Sequence, residues 1–213
     1  MSSRGSRPGP ARIVLFAVLA VAVLVLIGAL AVVIPILTHQ SAGGSGQTVP
    51  EGYVSEASAR GADGREREIS VETADGSPAD LERLVPGEEL VVRGSGFDAS
   101  IGIYVAICAI PSSDEEKPGP CLGGIPEGAE EGQTGQTALA SAWITDAWAW
   151  RAFATQRYDD AETGSFAARL TVPQPVTDGL DCRETRCAIA TRADHTASGD
   201  RVQDMLLPVA FAQ

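Results

Sequence analysis

The sequence predicts an all-β domain, built as an antiparallel sandwich, that follows one N-terminal transmembrane helix. Three observations lead to this fold class. An uncharged apolar run covers Ile13–Leu37, short runs of alternating apolar and polar residues fill the rest of the chain, and all four cysteines lie beyond the apolar run. Because disulfides persist in oxidising compartments, the cysteines indicate a cross-linked domain outside the cytosol.

The apolar run is long enough to be a membrane anchor. It contains 25 residues; as a helix it would be roughly 37 Å long, against about 30 Å of hydrocarbon in a bilayer. A cleaved signal peptide has a shorter apolar core, of about 7–15 residues, and a small-residue cleavage site. No such site follows closely here. The sequence therefore favours a retained anchor over residues 13–37, with a cleaved signal peptide as the alternative.

Charges around the anchor predict its orientation. Residues 1–12 form a basic tail with Arg4, Arg7 and Arg12, and no acidic residue precedes Glu51. Basic residues flanking a membrane helix stay on the cytoplasmic side. We therefore expect a single-pass cell-membrane protein with a cytoplasmic N-terminus and an extracellular C-terminal domain.

The charge balance argues against one class of partner. The chain has 28 acidic and 16 basic side chains, a net charge of −12, and three of the basic ones precede the anchor. A protein that binds nucleic acid needs a basic face. Nucleic acid is therefore not an expected partner.

The chain after the anchor divides into a linker and one domain. Residues 38–65 contain the segment S-A-G-G-S-G and many polar residues, which predicts a flexible linker with a reach of roughly 25–30 Å. Residues 66–213 have the length of one domain with its own core.

Period-two alternation predicts the strands of that domain. The apolar positions of the clearest runs are Ile69 and Val71, Ile101 to Ile107, Phe166 to Val172, and Leu207 to Phe211. Residues 138–153 are ambiguous, because good helix formers at the start give way to tryptophans and β-branched residues. We predict a strand there.

The cysteine spacing favours two local disulfides. Cys182 and Cys187 enclose four polar residues, which suits a hairpin whose facing Cα atoms lie about 4.5 Å apart. Cys108 closes a predicted strand, and Cys121 follows a loop rich in proline and glycine. The alternative is a bridge between sheets, from Cys108 to Cys182 or Cys187. The cysteine spacing does not suit zinc, so no metal is predicted.

The sequence lacks a recognisable catalytic arrangement. His195 is the only histidine of the predicted domain, and no G-x-S-x-G motif is present. Asp194 beside His195 would point to the opposite face of a strand, leaving the histidine in solvent. Haem ligation by His195 or Tyr158 lacks further support, because haem also needs an apolar pocket. We therefore predict neither an enzyme nor a cofactor.

Three aromatic residues are the candidate ligand-binding residues: Trp148, Trp150 and Phe153. On the predicted strand Trp148 and Trp150 would share one face, and aromatic side chains supply large contact areas at interfaces. The alternative is that they cap the core of the sandwich.

A set of motifs resembles the neocarzinostatin-like apoproteins of actinobacteria. The motifs occur in order as V-V-R-G-S-G-F at 91–97, Y-V-A-I-C-A at 104–109, Cys121, G-S-F-A-A-R-L-T-V at 164–172, and Cys182 with Cys187. The resemblance implies an immunoglobulin-like sandwich of seven strands, two local disulfides and an actinobacterial source. The best-known members of that family hold an enediyne chromophore in a cleft.

This chain differs from that family in its anchor, in an insert at 122–160 and in a charged last hairpin at 194–201. Shorter motifs at 104–106, 120–124 and 194–196 resemble immunoglobulin-like segments of actinobacterial surface proteins, some of them beside haem-transport-associated domains. We therefore expect a non-catalytic extracellular domain that acts in binding or interaction at the cell surface. The alternative is a carrier of a small apolar ligand or haem.

Overall fold

A computed structural model describes residues 9–123 and 139–212. Within these two ranges, helix α1 is followed by ten strands and one short 3₁₀ turn at His195–Ala197. Their bounds are α1 Pro10–Thr38, β1 Glu56–Arg60, β2 Glu66–Thr73, β3 Glu89–Ser95, β4 Ile103–Ala109, β5 Ser141–Ile144, β6 Phe166–Thr171, β7 Val176–Thr177, β8 Leu180–Asp181, β9 Cys187–Ala193 and β10 Met205–Val209. Most of the predicted basic tail and residues 124–138 of the predicted insert lie outside the described residues.

Helix α1 has the properties of a membrane span. Its mean hydropathy is 3.3 over the most apolar window, and no residue of that window is buried. Pro10 occupies the first turn, where its missing N–H costs no hydrogen bond, and Pro35 lies in the last turn. The predicted apolar helix is confirmed, and the structure extends it slightly at both ends. Together with the disulfides it fits a membrane-anchored extracellular domain.

The rest of the chain is mostly β. One antiparallel sheet has the strand order β1-β2-β3-β6 and a second has the order β10-β9-β4-β5, while β7 and β8 form a short ribbon. Alternate residues of both larger sheets enter one hydrophobic core, including Val71 and Leu170 from the first sheet and Val105 and Ile189 from the second. The predicted alternation is therefore confirmed, and it points each sheet's apolar face at this core.

Much of the predicted flexible linker is ordered. Glu56–Arg60 forms β1 and pairs with β2 along its length. Farther upstream, the Ala42 N–H donates to Asp200 Oδ2 over 3.1 Å, and the Gln47 side-chain amide bonds both backbone groups of Leu206. The linker prediction therefore needs correction, because backbone pairing and one amide side chain can fix a polar segment that buries little apolar surface. Residues 39–41 separate α1 from Ala42.

The predicted strand over 138–153 is only partly present. Of the described residues there, Ser141–Ile144 forms β5, after which the Ala147 N–H donates to Thr145 Oγ1 over 3.2 Å. The N–H groups of Trp150 and Arg151 then both donate to the Ala147 carbonyl. Hydroxyl side chains compete with strand pairing in this way and start turns. Trp148 and Trp150 consequently lie on a turn, and the prediction that they share a strand face is wrong.

The four cysteines form two pairs at disulfide distance, as the local pairing predicts. Cys108 pairs with Cys121, with Cα atoms 3.9 Å apart, and Cys182 pairs with Cys187, with Cα atoms 5.6 Å apart. The alternative bridge between the sheets is therefore wrong. The first disulfide holds the loop at 110–120 against the end of β4.

Removing either disulfide should destabilise the domain, and the loss should be larger for the disulfide that closes the longer loop. From loop-closure entropy we expect Cys108→Ala/Cys121→Ala to lower the free energy of unfolding by about 3 kcal/mol and Cys182→Ala/Cys187→Ala by about 2 kcal/mol. Urea unfolding of the full-length chain in detergent, followed by near-UV circular dichroism, measures both. A larger cost for the Cys182–Cys187 pair would contradict this ranking.

Candidate functional site

The strand register builds a row of large side chains on the outer face of the second sheet. Ile103 and Val105 enter the core, so Tyr104 between them points outward. Tyr104 pairs directly with Trp143 of β5 and with Arg192 of β9. Directly paired residues share a face, so the half-buried side chains of these three residues lie side by side.

A second pair of rings completes this group. The Tyr104 hydroxyl and His195 Nδ1 are 3.0 Å apart and share a hydrogen bond. The His195 ring meets Trp150 edge to face with 4.8 Å between ring centroids, and Trp143 with 5.2 Å. We call Tyr104, Trp143, Trp150 and His195 the aromatic cluster. Edge-to-face contacts between rings add stabilisation to that which comes from burying the apolar surface of the rings.

A buried carboxylate positions the aromatic cluster. Asp194 is fully buried; its Oδ2 accepts from Trp143 Nε1 over 2.9 Å. Its Oδ1 accepts from the backbone N–H and the hydroxyl of Thr196. A Cβ at Gly102 would lie 2.0 Å from Asp194 Oδ2, so only glycine leaves room there. Asp194 therefore fixes both the Trp143 indole and the turn that presents His195.

The structure separates the three predicted ligand-binding residues. Trp150 is half-buried and belongs to the aromatic cluster, whereas Trp148 and Phe153, on the same turn, are 65% and 75% exposed. The alternative that Trp148 and Phe153 cap the core is therefore wrong. His195 is exposed, as predicted, but it packs against two indoles instead of standing free in solvent.

Sequence reasoning missed Tyr104 and Trp143 as site residues. The alternation of the sequence could have identified Tyr104, because this large aromatic residue lies between Ile103 and Val105, two predicted core positions, and so has to point outward. Nothing in the sequence showed that β5 would pair with β4 and place Trp143 beside it, because register between distant strands is not a local property.

A cationic edge borders the aromatic cluster. The Arg192 guanidinium lies 5.8 Å from the centre of the Tyr104 ring; its Nη1 donates to the Pro118 carbonyl over 2.8 Å, and its buried Nε has no hydrogen-bond partner among the described residues. Lys117, the chain's only lysine, precedes Pro118 and is half-buried. Burial lowers the pKa of Lys117 to about 8, and the charges of Arg192 and Arg201 add to that effect.

A buried ion pair lies next to this edge. Arg201 Nη1 and Asp204 Oδ2 are 2.9 Å apart, and each side chain is at least nine-tenths buried. The other carboxylate oxygen of Asp204 has no hydrogen-bond partner within the described part of the chain. Burial raises the pKa of Asp204 to about 7, although Arg201 opposes that shift.

The described residues provide neither a free thiol nor a candidate metal cluster. All four cysteines are in disulfides, and residues 9–123 and 139–212 contain no cluster of three histidine, cysteine or acidic side chains that could hold a metal. Tyr158, considered above as a haem ligand, is buried; its hydroxyl donates to the Ile101 carbonyl over 2.9 Å, and burial raises its pKa. It therefore has no open side for an iron atom.

Comparisons with protein-family models, with curated proteins and with solved structures found no match. The function has to be argued from the aromatic cluster and the charges beside it.

Loss of the Asp194 carboxylate should disrupt the aromatic cluster. We expect Asp194→Ala to lower the free energy of unfolding by about 2–3 kcal/mol, because it leaves the Trp143 indole N–H and the Thr196 N–H without their acceptor. The control is Asp178→Ala, which removes an exposed carboxylate. Urea unfolding followed by tryptophan emission compares the two, and equal stabilities would contradict the assigned role of Asp194.

The buried Asp204 should make stability depend on pH. Its pKa in the folded chain, about 7, exceeds the ordinary value of 3.8, so the folded state holds a proton that the unfolded state releases. This group's contribution is therefore greatest below pH 4 and is lost as the pH rises to about 7.

Asp204→Asn keeps the shape of the side chain and removes its titration. The free energy of unfolding of the wild type, relative to this variant, should fall by an amount on the order of 3 kcal/mol between pH 4 and pH 7. Thermal unfolding of both chains across that range measures the difference. A difference independent of pH would contradict the assignment.

Proposed function

We propose that this chain is a membrane-anchored, non-catalytic extracellular domain that binds a partner through the aromatic cluster together with Trp148 and Phe153. The observation that carries the proposal is the exposure of two large aromatic side chains, 65% and 75%, beside an ordered group of rings. Aromatic side chains are enriched at interface hot spots, where few residues carry most of the binding energy.

The proposed topology rests on α1 and the residues before it. The basic residues at 4, 7 and 12 favour a cytoplasmic N-terminus by the positive-inside rule. That orientation places the disulfides on the outer side of the membrane, where they are stable. The proposed setting is the surface of an actinobacterial cell, from the resemblance of the motifs.

The strand order supports an immunoglobulin-like, neocarzinostatin-like interpretation of the fold. If β2, β3 and β6 are strands A, B and E, then β4, β9 and β10 are strands C, F and G, in the spatial order of the two immunoglobulin sheets. The fourth strand beside C is β5, and β1 is an addition at the opposite edge. Two local disulfides agree with the same family.

A second candidate function is that of a carrier for a small apolar ligand. The half-buried rings of Tyr104, Trp143 and Trp150 favour it, because an apolar ligand lying on them would cover surface that water now contacts. For haem, His195 Nε2 is the ring nitrogen that could ligate the iron, since Nδ1 already bonds the Tyr104 hydroxyl.

The proposed binding face can be tested in intact actinobacterial cells. Full-length wild-type chain and Trp148→Ala/Phe153→Ala are cross-linked to their neighbours, purified and analysed by mass spectrometry. Because interface hot spots cost more than 1 kcal/mol each when truncated, we expect the double variant to lose its cross-linked partner by about 10-fold or more.

The matched control is Val85→Ala/Val176→Ala, which truncates two side chains that are 53% and 41% exposed away from the aromatic cluster. This control should keep the partner at the wild-type level. Equal capture by all three chains would refute the binding face, and an organic molecule extracted from the wild type alone would favour the carrier.

A further inference from the structure

We propose that Lys117 and Arg192 hold the oxyanion, a carboxylate or phosphate, of a small organic ligand whose aromatic or apolar part lies on Tyr104 and Trp143. This inference rests on the proposed binding function of the same surface and adds a chemical class to it. Different residues decide the two proposals, because the cationic edge contains neither Trp148 nor Phe153, on which the proposed binding function depends.

One nitrogen of Arg192, Nε, has no acceptor among the described residues. The guanidinium is fixed from two sides, by the Pro118 carbonyl at Nη1 and by the face of the Tyr104 ring. A Cβ at Gly119 would approach Nη1 to 3.1 Å, so the loop is closely fitted around this group. Its Nε is nevertheless buried and without a partner among the described residues. Arginine binds carboxylate and phosphate groups with planar pairs of hydrogen bonds, and a fixed guanidinium loses little entropy in doing so.

Lys117 adds a second cation to the same edge. It lies in the loop that the Cys108–Cys121 disulfide holds, directly before the residue that Arg192 bonds. Within the described part of the chain its side chain makes no hydrogen bond and no ion pair. Burial disfavours its charged form, and Arg192 and Arg201 disfavour it further, which together lower its pKa. An anion placed between Lys117 and Arg192 would offset both effects.

The acidic groups nearby do not supply that anion. Both oxygens of Asp194 are occupied, by the Trp143 indole and by Thr196. Asp204 Oδ2 is paired with Arg201 at 2.9 Å, and burial raises the pKa of Asp204. Lys117, Arg192 and Arg201 therefore share this edge with Asp194 and Asp204, and the charges of the two carboxylates offset only part of the fall in the pKa of Lys117.

The neighbouring rings define the rest of the ligand. Tyr104 lies between Arg192 and Trp143, and the centroids of the Tyr104 and Trp143 rings are 5.8 Å apart. An anionic group bound at Arg192 would place an attached ring or chain over these two residues. The arrangement therefore fits an amphiphilic anion better than an inorganic one.

The chain's composition gives a clean test. Lys117 is the only lysine, and all three tryptophans lie at 143, 148 and 150. Reductive methylation with ¹³C-formaldehyde therefore gives one dimethyl-lysine signal besides that of the N-terminal amine, and tryptophan emission reports only this surface. Full-length chain in an uncharged maltoside detergent is titrated with sodium benzoate, with benzyl alcohol as the uncharged analogue and with inorganic phosphate, at constant ionic strength.

Benzoate should raise the titration midpoint of Lys117 from about 8 towards the ordinary lysine value of 10.5 and should change tryptophan emission over the same concentration range. Benzyl alcohol should leave the midpoint unchanged, and phosphate should raise it at higher concentrations than benzoate. Lys117→Gln and Arg192→Gln should each weaken benzoate binding by about 10-fold or more, as expected for a lost charged hydrogen bond. The control Arg169→Gln removes an exposed cation on β6 with the same change in net charge, and should bind as the wild type does.

The outcomes separate this inference from the proposed function. A Lys117 midpoint that neither benzoate nor phosphate moves overturns the oxyanion site, and so does equal binding of benzoate and benzyl alcohol. Neither result affects the partner captured through Trp148 and Phe153. Conversely, a raised midpoint together with unchanged capture by Trp148→Ala/Phe153→Ala supports the oxyanion site and refutes the proposed binding face. If Arg192→Gln does not fold, Lys117→Gln alone decides the matter, because the Lys117 side chain makes no hydrogen bond or ion pair within the described residues.

Discussion

The pairing register of β4 is the constraint on which the rest of the domain depends. It places Ile103, Val105 and Ile107 in the core and leaves Tyr104 on the opposite face. The same register brings Trp143 and Arg192 to the two sides of Tyr104. A shift of the β4 register by one residue would turn Tyr104 inward and three core side chains outward. The free energy lost by exposing those core side chains far exceeds that of any contact on the outer face. The outer face is therefore arranged by hydrophobic burial on the inner one.

Buried polar groups then fix the details that burial alone leaves open. Each carboxylate oxygen of Asp194 accepts at least one hydrogen bond, and Asp194 therefore orients both the Trp143 indole and the turn at Thr196. Charged hydrogen bonds of this kind are costly to leave unmade, so they select one arrangement among several that would bury similar area. The Arg201–Asp204 pair differs, since one carboxylate oxygen lacks a partner among the described residues. Burial is the largest cause that raises the pKa of Asp204.

The sequence was informative where structure follows from local patterns. Uninterrupted apolarity identified α1, period-two alternation identified the main strands, and short separations identified the cysteine pairs. It was misleading where a polar segment is held by the rest of the fold, as at Ala42, Gln47 and β1. The same limit applied to the candidate site: Trp150 was found from its residue type, but Trp143 and Arg192 meet Tyr104 only through pairing between distant strands. The turn at 145–153 begins where Thr145 Oγ1 accepts a hydrogen bond from the Ala147 N–H, and no periodicity reveals such an acceptor.

Gln47 has a consequence for crowded membranes. β10 is an edge strand, and at Leu206 its outward N–H and C=O are both bonded to the Gln47 side chain. The unpaired N–H and C=O groups of a free edge strand can pair with a strand of a neighbouring molecule. Such pairing becomes more frequent when many copies share one bilayer. With one glutamine occupying the middle of the strand, two anchored copies cannot continue each other's sheet through β10 unless the segment at 42–47 first detaches. One edge of the second sheet is thus closed by Gln47, a residue that belongs to neither the core nor the aromatic cluster.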